Sequence, residues 1–199
     1  MTTELVYSKQ YTDLTREDLM QKVSEQMSDK RFQHVLRVEK KALELANNYQ
    51  IDKEKASIAA LTHDYAKERP DEEMIDIIQN EGFSRELLEY GNAIWHGILG
   101  AYLVKIELGI TDQEILDAIT IHTTGAKEMS DLAKVIYVAD YIEDGRDFPG
   151  VVEARESAER SLDEAVSYET YHTLTYLLKS KKKIYPKTLE TYNYWVVSH

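Results

Sequence analysis

The chain is predicted to fold as an all-α helical bundle. Its 199 residues include only 8 glycines and 3 prolines, so few positions interrupt regular structure. No segment shows a convincing alternation of apolar and polar residues between turn signals, which is the pattern of a half-buried strand. Apolar residues recur instead three, four and seven positions apart, which indicates helices with one buried face.

In the first half of the chain, apolar spacing and capping residues predict six helices. Thr15 and Asp18 fit a capping box at the start of the first helix. Val35 and Val38 begin an apolar stripe along the second helix. Pro70 interrupts the helical pattern later on, because proline disfavours helix continuation. The predicted ranges are 15–27, 30–49, 53–67, 71–81, 85–90 and 93–109.

The second half of the chain is predicted to form five more helices. Thr111 and Glu114 fit a second capping box, and Leu132, Val135 and Ile136 repeat the spacing of a buried face. The segments HTTG and DGRDFPG are predicted breaks. We read 1–199 as one domain, since a chain of this length buries one core well; its core would cover about 30–146, with C-terminal helices 152–197 packed on it. The predicted ranges are 112–123, 130–143, 152–160, 162–180 and 186–197.

Charge and composition narrow the classes of partner and site. The 36 acidic and 24 basic residues leave a net charge of -12, whereas nucleic acids and anionic membranes are bound by broad basic surfaces. We therefore expect neither as a partner. The absence of cysteine excludes disulfides and thiolate metal ligands. The first residues lack the pattern of a secretory leader, and no apolar run approaches the roughly 18 residues of a spanning helix, so a cytoplasmic protein is expected.

The segment LTHDYAKERP, residues 61–70, places His63 and Asp64 side by side in an apolar context. Neighbouring residues of an α-helix project about 100° apart, so the two side chains cannot simply point at the same spot. A bridging carboxylate resolves the difficulty. Asp64 would join two metal ions about 3.5–4 Å apart, as in two-metal hydrolases, and His63 would bind one of them from its own side.

Further candidate ligands lie next to apolar residues on separate predicted helices: His34, His96, His122 and Asp140. A lone histidine on an apolar face is more often a core side chain with backbone partners. A buried Asp140 without a partner would be costly, however, and the six residues together have no simple explanation as separately satisfied core groups. The histidines for which no ligand role is expected are His172 and His199.

The order H…HD…H…H…D resembles that of the HD-domain superfamily of metal-dependent phosphohydrolases, in the variant that carries two metals. The resemblance covers about 31–146. Within the superfamily, the segments HDYAKE, WHGILGA, IHTTG, ADYIEDGRDFPG and IYPKTLETYNYW resemble the YqeK family, the symmetrical diadenosine tetraphosphate hydrolases. Two departures are Asp144, where proline is common, and Tyr192, where arginine is frequent. The resemblance implies an HD-domain helical bundle with a dinuclear metal centre that cleaves diadenosine tetraphosphate into two ADP.

Carried over by position, the resemblance implies that one metal is bound by four side chains and a second by three, with one carboxylate shared. The first set is His34, His63, Asp64 and Asp140, and the second is Asp64, His96 and His122. Nitrogen and oxygen ligands suit iron, manganese, cobalt or zinc about equally, and the family implies iron. A water or hydroxide shared by the ions would attack phosphorus, and the metals would neutralise charge on the phosphoryl oxygens.

Three cations are predicted to contact phosphate. Lys67 follows Asp64 by three residues, so on the predicted helix it shares the face of the metal site, and both are expected to act in catalysis. Arg31 stands three residues before His34 by the same logic. Arg146 lies just after the helix that carries the last ligand. A guanidinium is well shaped for a bidentate phosphate contact.

Other contacts with substrate are predicted from the C-terminal tail and from two ligands. Tyr185 and Thr188 lie in a segment that could close over a nucleotide base, although a Tyr-Pro turn opening the last helix is equally good structure. His96 and His122 are also expected to touch the substrate. The basic residues expected at the surface instead are Arg69 and Lys127.

Three functions stay open at this level. The first is hydrolysis of diadenosine tetraphosphate, with a nucleotide polyphosphate as substrate and ADP as product. The second is another HD-type nucleotide phosphohydrolase or nucleotidase; a cyclic-dinucleotide phosphodiesterase is disfavoured because no GYP follows the HD pair. The third is a non-catalytic nucleotide-sensing or adaptor protein. Whether the chain is a monomer or a homodimer also stays open.

Overall fold

The computed structural model describes residues 5–197, and none of these lies in a β-strand. The fold class is therefore confirmed as all-α. A 3₁₀-helix (Arg85–Glu89) precedes α5, and a π-helical turn (Asn193–Val197) follows α10. The α-helices of the described residues are α1 (Arg16–Ser24), α2 (Asp29–Asn48), α3 (Lys53–Thr62), α4 (Asp71–Asn80), α5 (Asn92–Leu108), α6 (Gln113–Ile121), α7 (Asp131–Ile142), α8 (Val151–Arg160), α9 (Leu162–Lys179) and α10 (Pro186–Tyr192).

Several predicted helix bounds differ from the structure, among them those of the first and last helices, and the end of the third helix matters for the site. The helix predicted over 53–67 ends at Thr62, and the chain continues in tighter turns with hydrogen bonds three residues apart, such as that from the Lys67 amide to the Asp64 carbonyl. The His63 ring explains the early end. Its Nδ1 lies 2.7 Å from the Ala60 carbonyl oxygen, which in a continuing helix would accept from the amide four residues later.

The predicted capping box at Thr111 is also wrong, because the N-cap residue of this helix is Asp112. Helix α6 begins at Gln113 and is capped by Asp112, whose carboxylate accepts from the Ile115 amide at 3.1 Å. Both threonine and aspartate are favourable N-cap residues. When the two are adjacent, the sequence alone does not decide which of them caps the helix. At α1 the predicted capping box of Thr15 and Asp18 is confirmed.

Helix α7 lies at the centre of the bundle. It packs against α2, α3, α6, α8 and α9, and most of its side chains are buried, including those of Val135, Ile136 and Tyr137. Through this contact, α9 packs against the helix that carries Asp140. No helix in 5–197 combines the length and apolarity needed to cross a bilayer. His199 lies outside the described residues.

An N-terminal segment ties α1, α2 and α3 together through a buried polar network. Tyr7 Oη lies 2.7 Å from Ser57 Oγ, and Ser57 donates to the Glu39 carboxylate at 2.5 Å. Arg16 forms a bidentate pair with the same carboxylate. Glu39 is on α2 and Ser57 is on α3, so the network joins the two helices that carry the first two predicted ligands.

Three helix ends and two helix interiors meet at one place in the bundle. His63 and His122 are the C-cap residues of α3 and α6, and Asp140 lies in the last turn of α7. His34 and His96 project from α2 and α5. The C-terminal end of a helix carries partial negative charge, so the ends of α3, α6 and α7 together favour a cation at the point where they converge.

Candidate metal centre

Four imidazoles surround the Asp64 carboxylate, and its two oxygens face different pairs of them. Asp64 Oδ2 lies 3.7 Å from His34 Nε2 and 3.5 Å from His63 Nε2. Asp64 Oδ1 lies 3.4 Å from His96 Nε2 and 3.8 Å from His122 Nε2. Asp64 and all four rings are buried. Predicted ligands from four separate segments are therefore brought together around one carboxylate.

Three of the histidines are oriented by backbone carbonyls of their own helices. In each, Nδ1 lies within hydrogen-bond distance of a carbonyl oxygen three or four residues earlier, so Nδ1 carries the proton and Nε2 keeps its lone pair. The carbonyl acceptors are Ala60 for His63 (2.7 Å), Asn92 for His96 (2.6 Å) and Ile119 for His122 (2.7 Å).

His34 is oriented by a side chain that the sequence analysis missed. Its Nδ1 lies 3.2 Å from Glu143 Oε1. Glu143 is buried and is held in turn by Arg37 Nε and by the Gly145 amide, each donating to Oε2 at 2.6 Å. A carboxylate that orients a metal-binding histidine is a common arrangement. The available signal was the position of Glu143 three residues after Asp140.

The geometry of the Nε2 atoms fits a bound cation. His34 Nε2 and His63 Nε2 are buried and make no hydrogen bond to the described residues. His96 Nε2 and His122 Nε2 lie 3.0 Å apart, and with both Nδ1 protons committed to carbonyls two lone pairs face each other. Lone pairs this close need an electrophile nearby. Imidazole nitrogens and carboxylate oxygens are the ligands that divalent transition metals accept, so the cluster is consistent with a divalent metal centre.

Three groups of side chains could each hold an ion, with ligand atoms within 4.8 Å of one another. Two groups share Asp64 and correspond to its two faces. The third group combines one histidine from each of these two groups with Asp140. The groups in 5–197 are His34, His63 and Asp64; Asp64, His96 and His122; and His63, His122 and Asp140.

The charges of the cluster suit metal binding at neutral pH. Burial lowers the pKa of His96 to about 3, with the nearby His122 ring and Lys67 acting in the same direction. Burial likewise lowers the pKa of His122 to about 4. Burial alone would raise the pKa of Asp64, but the surrounding imidazoles outweigh it and hold the pKa well below its usual value. Neutral imidazoles at His96 and His122 and an ionised Asp64 are the forms that bind metals. Burial would lower the pKa of His63 as well, but the Asp64 carboxylate beside it raises this pKa overall.

Asp140 lies at the edge of the cluster, beside the His34 ring and the Arg146 guanidinium. Its Oδ1 is 3.1 Å from His34 Nε2 and accepts from Arg146 Nη2 at 2.6 Å. Burial would raise the pKa of Asp140, but the His34 and His63 rings and the Arg146 guanidinium lower it overall. Arg31 Nη1 lies 3.0 Å from Asp64 Oδ2. The structure thus places both predicted arginines on carboxylates of the cluster.

Lys67 reaches the cluster from the turns that follow α3. Its Nζ lies 3.4 Å from both ring nitrogens of His96. A shared α-helical face cannot explain this position, because α3 ends at Thr62, before Asp64 and Lys67. Residues three apart in 3₁₀-type turns lie above one another, so Asp64 and Lys67 still project to the same side. None of the described carboxylates forms an ion pair with Lys67, unlike with Arg31 and Arg146.

The remaining residues singled out in the sequence have local partners of other kinds. The Tyr185 ring packs edge-on against Tyr90 at 4.9 Å between centroids, and Thr188 is buried with 5% exposure. Their contact with substrate stays a prediction. Arg69, expected at the surface, is half-buried and paired with Glu73 and Glu107, and Lys127 lies over the Tyr194 ring. His172 stacks on Tyr168 at 4.0 Å.

A glycine lets α5 approach α6 at the cluster. A β-carbon on Gly97 would lie 3.0 Å from the Thr120 carbonyl oxygen and 3.4 Å from His122 Nδ1. These contacts are tighter than most β-carbons make, so a larger residue at this position would require its neighbours on α6 to shift by a few tenths of an ångström. Gly97 directly follows His96, so the close approach of the two helices lies beside the contact between His96 and His122.

Known proteins with similar sequences and structures agree with this description. The family model "HD domain" matches residues 31–145. A Bacillus subtilis protein named "Bis(5'-nucleosyl)-tetraphosphatase, symmetrical" is 45% identical over 93% of this chain and 99% of its own length. A Halalkalibacterium halodurans protein of the same name is 42% identical over 90% of this chain and 96% of its own. A Clostridium acetobutylicum crystal structure, titled "predicted HD superfamily hydrolase involved in NAD metabolism", superposes with a TM-score of 0.88 at 37% identity, covering 94% of this chain and 99% of that one. The chain belongs to the HD domain family.

Proposed function

We propose that the protein hydrolyses diadenosine tetraphosphate symmetrically to two ADP. The observation that carries the proposal is the Asp64 carboxylate, whose two oxygens face two separate pairs of histidine Nε2 atoms. A buried carboxylate with this surrounding is suited to bridge two cations. The two relatives named as symmetrical bis(5'-nucleosyl)-tetraphosphatases, which align over almost their whole length, support the choice of substrate.

In this proposal two ions are held by the cluster, with Asp64 shared. His34, His63 and Asp140 complete one set, and His96 and His122 complete the other; we infer iron, although manganese, cobalt and zinc would suit the same donors. When bound, the ions would lower the pKa of a water molecule and neutralise charge on the phosphoryl oxygens. Glu143 keeps the His34 Nδ1 proton in place, so that Nε2 stays available.

The cations around the cluster would bind the tetraphosphate. Lys67 has no carboxylate partner among the described residues and would contribute most to the charge that develops in the transition state. Arg31 and Arg146 would extend from their carboxylates to phosphate oxygens, since a guanidinium has donors for both. Tyr185, packed on Tyr90 before α5, is our candidate contact for the nucleoside on the side of His96 and His122. We retain Thr188 as a minor contact there.

The chemistry consists of one displacement. Water attacks one of the two central phosphorus atoms, the bond from that phosphorus to the central bridging oxygen breaks, and each product leaves with one adenosine and two phosphates. The position of the substrate along the cluster decides which bond breaks. A register displaced by one phosphate would give AMP and ATP instead.

The test is product analysis in ¹⁸O-labelled water with iron-, manganese- and zinc-loaded protein. We expect ADP as the only nucleotide product, with one label entering one of each pair of ADP molecules. The Asp64→Asn variant should lose turnover, whereas Asp144→Asn, which alters an exposed carboxylate paired with Lys40 and Lys41, should keep it. AMP and ATP would refute the register. If the protein binds the nucleotide but none of its metal-loaded forms hydrolyses it, a sensing or adaptor function is favoured.

A further inference from the structure

A symmetrical dinucleotide has two nucleosides, and an aromatic cavity lies next to the segment that carries Asp140 and Arg146. It has a volume of about 450 Å³, which is within the range of small-molecule pockets. Its walls come from the end of α7, the loop after it, and α9. The residues used below are Tyr141, Phe148, His172, Tyr176 and Lys179.

The residues that line the cavity adjoin residues of the metal cluster in the sequence. Tyr141 directly follows Asp140 on α7, and Phe148 follows Arg146 by two residues in the loop. The rings of Tyr141 and Phe148 lie 4.8 Å apart at 55°. A phosphate chain that leaves the cluster past Asp140 and Arg146 would therefore reach these two aromatic side chains next.

One face of α9 extends from the neighbourhood of Asp140 and Arg146 into the cavity. Glu169 on α9 is buried and is close enough to Asp140 and Arg146 to interact electrostatically with both. His172 and Tyr176 follow at three and seven residues, which is the spacing of a single helix face, and lie roughly 5 and 10 Å further along the axis. Lys179 stands at the end of the same helix.

The chemistry of the walls suits an adenine ring. Tyr141, Phe148 and Tyr176 supply aromatic surface on which a base can stack. His172 Nδ1 lies 2.8 Å from the Tyr168 carbonyl oxygen, so Nδ1 carries the proton and Nε2 is left as an acceptor. Adenine offers an amino group as donor at its Watson–Crick edge. Lys179 brings positive charge to the far end of the cavity, in a chain of net charge -12.

We propose that this cavity binds the second adenosine of the substrate, on the opposite side of the cluster from Tyr185. The inference rests on the proposed function, because it assigns the other half of the same molecule. It explains how a dinucleotide can be centred on the cluster: the Tyr185 side holds one nucleoside and the Tyr141–Phe148 side holds the other. A substrate held at both ends presents its central bond to the ions between them.

The test uses ¹⁹F NMR, because the chain has only three phenylalanines. Protein labelled with 4-fluorophenylalanine and loaded with diamagnetic zinc should give three resonances, and Phe148→Leu identifies that of Phe148. Adenosine and ADP should shift this resonance, whereas pyrophosphate alone should not. Phe83, which packs on Tyr102, serves as the internal reference. A Phe148 resonance that ignores adenosine and ADP, or that responds equally to pyrophosphate, overturns the proposal.

Kinetics give a second measurement. Tyr176→Ala should raise the KM for diadenosine tetraphosphate about 5- to 100-fold, which corresponds to the loss of one base-stacking contact. It should leave the KM for adenosine 5'-tetraphosphate, which has one nucleoside, nearly unchanged. Leu178→Ala is the matched control, because Leu178 is 60% exposed and Tyr176 62% exposed on the same helix. Equal effects of Tyr176→Ala on both substrates would contradict the assignment.

The two proposals fail separately. Turnover of diadenosine tetraphosphate without a response of Phe148 refutes the second nucleoside site alone. A response of Phe148 to adenosine in a protein that does not hydrolyse the dinucleotide refutes the proposed function and leaves the adenosine site standing.

Discussion

Replacement of Lys67 by methionine should remove most of the catalytic rate while leaving the metals bound. Methionine keeps the length and apolar character of the side chain and removes only the charge. Lys67 Nζ lies 3.4 Å from the His96 ring nitrogens, and none of the described carboxylates is paired with it. Its charge is therefore free to act on a phosphoryl group bound beside His96.

The magnitude follows from this position. Two unit charges about 4 Å apart interact by about 4 kcal/mol at an effective dielectric constant of about 20, which suits a partly buried pair. Loss of one donor that stabilises a transition state typically costs roughly 2.7–4 kcal/mol. The two figures agree, and they correspond to a decrease in kcat of roughly 10²- to 10³-fold.

The assay separates chemistry from structure. ADP release gives kcat, elemental analysis gives metal content, and circular dichroism gives the unfolding midpoint. Lys127→Met is the control, since Lys127 lies over the Tyr194 ring and should have no effect on kcat. A Lys67→Met variant that keeps its kcat within about threefold of wild type would falsify the assignment, and a variant that loses metal would show that Lys67 acts by holding the centre together.

Three other outcomes are expected. Elemental analysis should find that Asp64→Ala loses both ions and His96→Ala mainly one; retention of one ion by Asp64→Ala would contradict a bridging role. Gly125→Ala should lower the free energy of unfolding in urea by about 2–5 kcal/mol, because φ is 61° and the new β-carbon would lie 2.5 Å from a threonine methyl of α10. Gly82→Ala is the control: its φ is 78° but the space around it is open, so it should lose only the stability that a positive φ costs an alanine. Burial raises the pKa of Glu169 well above its usual value, so its contribution to stability is complete below about pH 4 and is lost as the pH rises. Unfolding at a series of pH values should therefore show that wild type loses more stability between about pH 5 and 8 than Glu169→Gln, and parallel curves would refute this.

The all-α fold could be predicted because its signals are local. The stripe that begins at Val35 and Val38 and the capping box at Thr15 need no knowledge of the rest of the chain, and the structure has helices in both places. The end of α3 could not be predicted, because apolar spacing continues past Thr62. The helix ends where the His63 ring takes up a backbone carbonyl, and that choice becomes favourable only when the other ligands surround His63.

The candidate ligands could be predicted for a different reason. A buried histidine or aspartate is costly without a partner, so each polar residue in an apolar helix predicts another polar group nearby. Glu143 fits the same rule, but several charged residues follow it directly in the sequence, and a carboxylate in such a context is expected to face solvent. The aromatic cavity was missed entirely. Tyr141 and Phe148 are ordinary core residues in sequence, and only the packing of α7 against α9 brings them beside His172.

The way each histidine is held has a consequence for how the site can change. Three rings are fixed by carbonyls within their own helices, which no side-chain substitution can remove. The ring of His34 depends on Glu143, a residue 109 positions away in the chain, and through it on Arg37. A single substitution outside the ligands, at Glu143, can therefore release the ring of His34, whereas the rings of His96 and His122 stay oriented by their own helices for as long as α5 and α6 remain folded.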